Sequence, residues 1–199
     1  MNILWDFDGT LMDTYPSYTK MVKEASQSAL QDEEIFALLK VSFGHAFSEL
    51  GLSEDEIKHI KELERSLAPE DFKPFLGLRE VLEAADMNVI MTHKERALAQ
   101  AILEVNDLNQ YFTEIVAIDD GYPRKPDPAS YRYLHEKYRI DLAVGDRELD
   151  IIPAKKLGIQ TCLFQNHEAE ADYYVDDYRE FFKKVLLLNK YQKQGNPEK

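Results

Sequence analysis

The 199-residue sequence predicts an α/β protein, a mostly parallel sheet with helices on both faces, interrupted after its first strand by an all-helical insertion. Three observations carry this. From Pro74 onward, short apolar runs alternate with stretches of helical period, the pattern of a parallel sheet joined by crossover helices. Between residues 15 and 67 apolar residues recur at helical spacing and no run reads as a strand. The apolar runs also stop at polar loops, as buried strands do when they reach a sheet edge.

The first run, Asn2-Ile3-Leu4-Trp5, ends at Asp6-Phe7-Asp8-Gly9-Thr10 and predicts a buried strand opening into a glycine-bearing loop. In the insertion, Tyr18, Met21, Val22 and Ala25 recur at helical spacing. So do Ile35, Leu38 and Leu39, and then Ile57, Ile60, Leu63 and Leu67. Ser53 with Glu56 has the form of a capping box ahead of the last of these helices. Leu78, Val81, Leu82 and Ala85 mark a helix face, followed by a strand at 88–92 and a helix face from Ala97 to Val105. A strand at 114–118 comes next. Asp127 reads as an N-cap with Pro128 at the first helical position, leading a helix to about Tyr138. A strand at 142–144, a helix at 148–157 and a strand at 159–164 complete the alternation. From Asp176 onward Tyr178, Phe181, Phe182, Val185 and Leu186 predict a terminal helix with a packing face, and residues 195–199 read as a frayed end.

Composition narrows the function. With 37 acidic and 24 basic residues the formal charge is −13, which disfavours general nucleic-acid binding and basic membrane attachment through repulsion of phosphates. The lone Cys162 sits in an apolar run and has no partner for an intrachain disulfide, which fits a reducing compartment. No cationic and apolar leader opens the chain and no run of about 18 apolar residues occurs. The expectation is a soluble cytoplasmic protein, monomer or homodimer, without nucleic-acid or membrane partners.

The polar residues at the strand ends are the informative set. Asp6 and Asp8 follow the first strand, Thr92 ends the second, Lys125 follows the third, and Asp146 and Asp150 follow the fourth. In an open parallel sheet the carboxyl ends of the strands share one edge, where ligands bind, so these six side chains converge. Like charges at 4 Å repel by about 4 kcal/mol per pair at an effective dielectric of 20, so clustered carboxylates call for a cation. Oxygen donors select a hard ion, Mg²⁺ above all.

The segment from Trp5 to Thr14, Trp-Asp-Phe-Asp-Gly-Thr-Leu-Met-Asp-Thr, resembles the first motif of the haloacid dehalogenase-like (HAD) superfamily. Val89-Ile90-Met91-Thr92, Arg124-Lys125-Pro126-Asp127-Pro128 and Val144-Gly145-Asp146-Arg147-Glu148-Leu149-Asp150 resemble the second, third and fourth motifs, in order. The resemblance spans residues 2 to 165. It implies a Rossmann-like core from residues 1–14 and 75–199. The helical insertion, residues 15–74, is similar to the C1 cap of the subfamily that includes phosphoglycolate phosphatases and beta-phosphoglucomutases.

The implied activity is Mg²⁺-dependent hydrolysis of a small phosphorylated metabolite, phosphoglycolate-type or a sugar phosphate, through an aspartyl-phosphate. A sugar phosphomutase of the same fold and a non-catalytic module that binds phosphorylated ligands are the alternatives. Asp6 is implied as nucleophile and Asp8 as acid and base, with Lys125 and Thr92 stabilising the transferring phosphoryl group. Gly9 and Thr10 belong to the phosphate-binding loop. Asp6, the Asp8 carbonyl and Asp146 are implied metal ligands, with Asp150 a ligand or an orienting neighbour. His93 stands where family members often carry Asn, and is either substrate-facing or a solvated loop residue. Arg147 pairs with Glu148 or Asp150, its role open. The Lys40-to-His45 segment interrupts the helical period at a glycine, making Lys40 and His45 either substrate contacts or parts of a helix joint.

Overall fold

A computed structural model describes residues 1–186; the predicted frayed end at 195–199 and the Leu186 side chain lie outside what it describes. Six parallel strands form the main sheet in the order β5-β4-β1-β6-β7-β8. Their ranges are β1 Asn2–Trp5, β4 Met87–Met91, β5 Phe112–Val116, β6 Leu142–Gly145, β7 Gln160–Phe164 and β8 Tyr173–Val175. Between β1 and β4 the chain makes a two-stranded antiparallel ladder, β2 Met12–Asp13 with β3 Lys73–Pro74. Four helices lie between those two short strands: α1 Tyr15–Ser26, α2 Asp32–Val41, α3 Phe43–Glu49 and α4 Glu54–Ser66. The crossover helices of the sheet are α5 Leu78–Ala84, α6 Arg96–Val105, α7 Ala129–Tyr138 and α8 Glu148–Lys156. The sheet is thus the mixed α/β, Rossmann-like arrangement that the alternating pattern predicts.

Strand order decides where a ligand fits. From β1 the chain steps outward through β4 to β5, then crosses to β6 on the other side of β1 and continues to β8. This reversal places a crevice at the carboxyl end of β1, between β4 and β6. Trp5, the last residue of β1, pairs in register with Ile90 and Val144, so Asp6, Thr92 and Asp146 follow within two residues of one line across the sheet.

The core supports this edge from below. Trp5, Phe164, Tyr178 and Phe181 are buried, with the Phe164 and Tyr178 rings stacked at 4.2 Å. The Trp5 indole N–H donates to Asn88 Oδ1 at 2.8 Å, and Asn88 Nδ2 in turn donates to the Leu82 carbonyl, so this polar pair inside the core is satisfied. Tyr178 reaches out of the core: its hydroxyl donates to the Thr10 carbonyl at 2.8 Å and ties down the loop after β1. A second core, inside the helical insertion, is built from Tyr18, Val22, Ile35, Leu39, Ala46 and Ile60.

The Ser53 and Glu56 capping box forms at the start of α4 as predicted. Other boundaries differ. The third strand of the alternation ends at Val116, because Ile118–Asp120 turns into a single 3-10 turn. Pro128, not Asp127, occupies the cap position of α7, and Asp127 Oδ1 accepts the Ala129 N–H at 2.9 Å from one residue further out. The helical period breaks at Ser42 rather than at a glycine: Ser42 is extended, closes α2 and caps α3 through its Oγ, while Gly44 lies inside α3. After β7 comes β8, a strand the periodicity does not predict, and among the described residues the terminal helix predicted from Asp176 is instead a 3-10 turn at Tyr178–Glu180 and a π-helical turn at Phe182–Leu186. Phe181 and Val185 are buried there, as the predicted packing face requires. No helix among the described residues is long and apolar enough to cross a membrane.

Candidate active site

The loop after β1 turns back on itself at Gly9, whose φ of +76° is a left-handed conformation. A Cβ there would stand 2.1 Å from the Tyr15 ring and 2.7 Å from Asp146 Oδ2, so only glycine lets the loop pass between the insertion and β6. Gly145 has a related role, since a Cβ would meet that of Asp150 at 2.2 Å. Glycine at the end of β6 therefore lets the first turn of α8 fold its carboxylate back over the strand end.

These two loops bring three buried carboxylates together. Ligand oxygens of Asp6, Asp146 and Asp150 all lie within 4.8 Å of one another. Lys125 Nζ sits between two of them, 2.6 Å from Asp6 Oδ1 and 2.8 Å from Asp150 Oδ1. Thr10 donates its hydroxyl to Asp6 Oδ2 at 3.2 Å. Asp146 Oδ2 receives two groups from the insertion, the Tyr15 hydroxyl at 2.9 Å and Lys40 Nζ at 2.6 Å.

The electrostatics follow from sharing one lysine between two carboxylates. Burial and the Asp150 charge push Asp6 up to about 7, against the pull of Lys125 and Arg147. Burial likewise raises Asp146 in spite of Arg147 and Lys40. Asp150 goes the other way, to about 2, because Lys125, Arg147 and the Arg147 backbone N–H outweigh its burial. The charges of Asp150 and Asp6 hold Lys125 protonated well above its ordinary range although it too is buried. The protein's own cations thus leave carboxylate charge uncompensated on Asp6 and Asp146, and three buried oxygen donors of this kind fit a hard divalent cation.

Asp8 stands apart from this cluster, a little exposed. Its Oδ1 lies 3.2 Å from Lys94 Nζ and 3.4 Å from the Tyr18 hydroxyl. The Tyr18 hydroxyl has one proton, which goes to Glu64 Oε1 at 2.9 Å, and it accepts from Lys94 Nζ. Lys94 also pairs with Glu64 at 3.2 Å. Its side chain is fully buried, and it joins the loop after β4 to two helices of the insertion.

A cavity of about 520 Å³ lies above these groups, between sheet edge and insertion. Asp6, Asp8, Thr92 and Lys125 line its floor, as the motif reading predicts. Gly9, Thr10, Asp146 and Asp150 do not line it; they stand beneath and beside Asp6. His93 does line it, yet its Nε2 accepts the Lys125 backbone N–H at 3.0 Å, and burial with the Lys125 charge pushes its pKa down to about 3. It is a neutral, half-buried strut between two site loops, and that nitrogen is not free to donate. Arg147 also lines the cavity; it lies 3.5 Å from Asp150 and 3.7 Å from Asp146, not against Glu148, and its buried Nε has no hydrogen-bond partner. Lys40 turns away to Asp146, and His45 does not line the cavity; its backbone N–H instead donates to the capping Ser42 Oγ at 3.0 Å.

Sequence reasoning missed Lys94, Tyr15, Tyr18 and Glu64. Tyr18 stood in the apolar stripe of α1, where its hydroxyl carried no signal. Lys94 follows Thr92 by two residues, and that closeness to a strand end was the available clue.

The family model described as haloacid dehalogenase-like hydrolase matches residues 3–164. The chain is 30% identical over 184 residues to a phosphoglycolate phosphatase of Mesorhizobium japonicum, with 79% of each chain covered. It is 27% identical over 182 residues to that of Vibrio parahaemolyticus, covering 78% of this chain and 79% of the relative. Among solved structures, a hydrolase from Streptococcus pneumoniae TIGR4 superposes with a TM-score of 0.61 at 27% identity, covering 96% of this chain and 97% of that one. A HAD-superfamily hydrolase of subfamily IA from Geobacter sulfurreducens shares the fold at a TM-score of 0.71 and 20% identity, over 92% and 97% of the two chains.

Proposed function

The chain belongs to the haloacid dehalogenase-like hydrolase family, and we propose that it is a Mg²⁺-dependent phosphatase that hydrolyses a small phosphorylated metabolite through an aspartyl-phosphate on Asp6. Family and relatives make it a phosphoric monoester hydrolase. The observation that supports the route is Asp6 itself, a buried carboxylate that lines the cavity floor with Lys125 Nζ 2.6 Å from one oxygen and the Thr10 hydroxyl 3.2 Å from the other.

In this reading residues 1–14 and 75–199 are the core and residues 15–74 the cap. Asp6 attacks phosphorus from the cavity floor, and the bond from phosphorus to the ester oxygen breaks. Asp8 gives its proton to that oxygen, releasing the alcohol, and then takes a proton from the water that attacks the aspartyl-phosphate. Inorganic phosphate leaves and Asp6 is restored. Lys125 stays protonated throughout and offsets charge on Asp6 and the phosphoryl oxygens, while Thr92 and Arg147 face the same space. Asp6, Asp146 and Asp150, with the Asp8 carbonyl, would hold Mg²⁺, which supplies the positive charge that lets an anionic nucleophile meet an anionic ester. Keeping the cap over the cavity excludes bulk water and strengthens each of these interactions.

The test is phosphate release from 4-nitrophenyl phosphate. Turnover with Mg²⁺, stopped by EDTA and by Asp6→Asn, is expected, along with acid-stable phosphate incorporation that the variant lacks. Full activity in the Asp6→Asn protein would sink the nucleophile assignment.

A further inference from the structure

The geometry points to a leaving group with a bulky apolar, aromatic body, and we propose that this phosphatase selects esters of such alcohols over small anionic or hydroxyl-rich ones. The inference rests on the phosphatase reading above and concerns the other end of the same cavity.

The two walls of the cavity differ in kind. Its floor, from the sheet edge, carries Asp6, Asp8, Lys125 and Arg147, which suit a phosphoryl group. The wall from the insertion is mostly apolar, with Met21, Phe43, Phe47, Ile57 and Ile60 beside Ser42, Lys61 and Glu64. Phe43 meets Tyr18 edge-on at 5.0 Å and Phe47 at 6.1 Å, so three rings form one continuous aromatic surface. A ring entering beside them finds edge and face partners of the kind that aromatic pairs prefer.

Size argues the same way. At about 30 Å³ per water, 520 Å³ holds the volume of roughly 17 waters, well beyond a phosphoryl group with a two-carbon acid attached. It falls among the cavities that enclose ligands of drug-like size. A small ester would leave the apolar wall wetted or empty, and the burial of that wall would contribute nothing to binding.

Charge separates the candidate substrates. A carboxylate on the leaving group would need a cation on the wall it faces, since an unpaired buried carboxylate is strongly disfavoured. The cations Lys94, Arg124, Lys125 and Arg147 on the lining all come from the sheet side; on the insertion's side Lys61 is the basic one among the described residues, and it is exposed with Glu64 one turn further along α4. Lys40, the other cation of the insertion near the site, is committed to Asp146.

A matched pair of alkyl esters tests this without a change in leaving-group chemistry: 2-phenylethyl phosphate against ethyl phosphate, with 2-phosphoglycolate as the small anionic comparison. The expected kcat/KM for the phenylethyl ester is at least tenfold above that for either small ester. Phe47→Ala should bring the phenylethyl-to-ethyl ratio toward one. Gly44→Leu is a second variant that spares the fold, because Gly44 lines the cavity on α3 and a Cβ there has Ser42 Oγ at 4.0 Å as its nearest neighbour. It should also reduce the ratio, by filling the space that the ring needs. Equal or higher kcat/KM for phosphoglycolate, or a ratio that neither variant changes, overturns this inference alone. Failure to turn over any of these esters or 4-nitrophenyl phosphate overturns the phosphatase reading and this inference with it.

Discussion

Lys40 Nζ lies 2.6 Å from Asp146 Oδ2, so a helix of the insertion places a cation on a carboxylate of the sheet edge 106 residues away in sequence. The Lys40 side chain also crosses the face of the Tyr15 ring, whose hydroxyl donates to the same oxygen. One acidic oxygen at the bottom of the site is thereby shared between core and insertion.

This contact predicts how the metal-free protein responds to loss of the lysine. Lys40→Met leaves a fully buried Asp146 with less counter-charge, at a cost of about 1.5–3 kcal/mol, the usual worth of a hydrogen bond to a charged group. The melting temperature in EDTA should fall, and Mg²⁺ should raise it further in the variant than in the parent protein. Equal Mg²⁺-induced shifts in the two proteins would show that Lys40 does not act through Asp146.

Lys94 predicts a catalytic effect from a residue that touches Asp8 rather than phosphorus. With Lys94 exchanged for Met, Asp8 loses its cation at 3.2 Å and the Tyr18 and Glu64 pair loses its link to the core. Misplacing an acid by about 1 Å can lower a rate by up to 100-fold, so kcat should fall at least tenfold on an alkyl phosphate. The loss should shrink on 4-nitrophenyl phosphate, whose leaving group needs little protonation.

His93 predicts an acid-side loss of stability. Burial and Lys125 hold its folded pKa near 3, below the ordinary 6.5, so the folded state disfavours the imidazolium. The stabilisation from keeping it neutral is complete above pH 6.5 and is lost progressively as pH falls toward 3. His93→Gln retains an acceptor for the Lys125 N–H without a titrating ring. Denaturant midpoints between pH 7 and 4 should fall less steeply for the variant, and parallel slopes would remove His93 from the acid response.

Asn88 predicts a purely structural penalty. Asn88→Ala leaves the buried Trp5 indole N–H without its acceptor, a loss of about 1–3 kcal/mol. For a chain of this length that lowers the melting temperature by roughly 2–12 °C. Catalysis measured well below the transition should be unaffected if the Trp5 and Asn88 pair serves only the core.

Some of this was legible in the residues and some was not, for physical reasons that differ by element. Asp6, Thr92 and Asp146 follow buried apolar runs, and a parallel sheet puts such positions on one edge whatever the details of its loops. The short ladder of β2 and β3 escaped notice because two-residue strands have no period to detect. Tyr173–Val175 is nearly as short, and its pairing with β7 depends on a loop that returns it to the sheet. Glycine is the stronger helix breaker on average, which points to Gly44, whereas here an extended Ser42 both ends one helix and caps the next.

The amino-acid sequence by itself determined the sheet, the helical insertion and the row of polar residues at the strand ends, because periodicity and strand termination are local properties. Only the tertiary structure decided which cation meets which carboxylate: Lys125 with Asp6 and Asp150, Lys40 with Asp146, Lys94 with Asp8 and Glu64. Those pairings join residues 25 to 119 positions apart, and two of them, Lys40 with Asp146 and Lys94 with Glu64, depend on how the insertion packs over the sheet edge. The same packing lays Phe43 and Phe47 against the phosphoryl site, so a helix face that reads as ordinary core becomes one wall of the cavity.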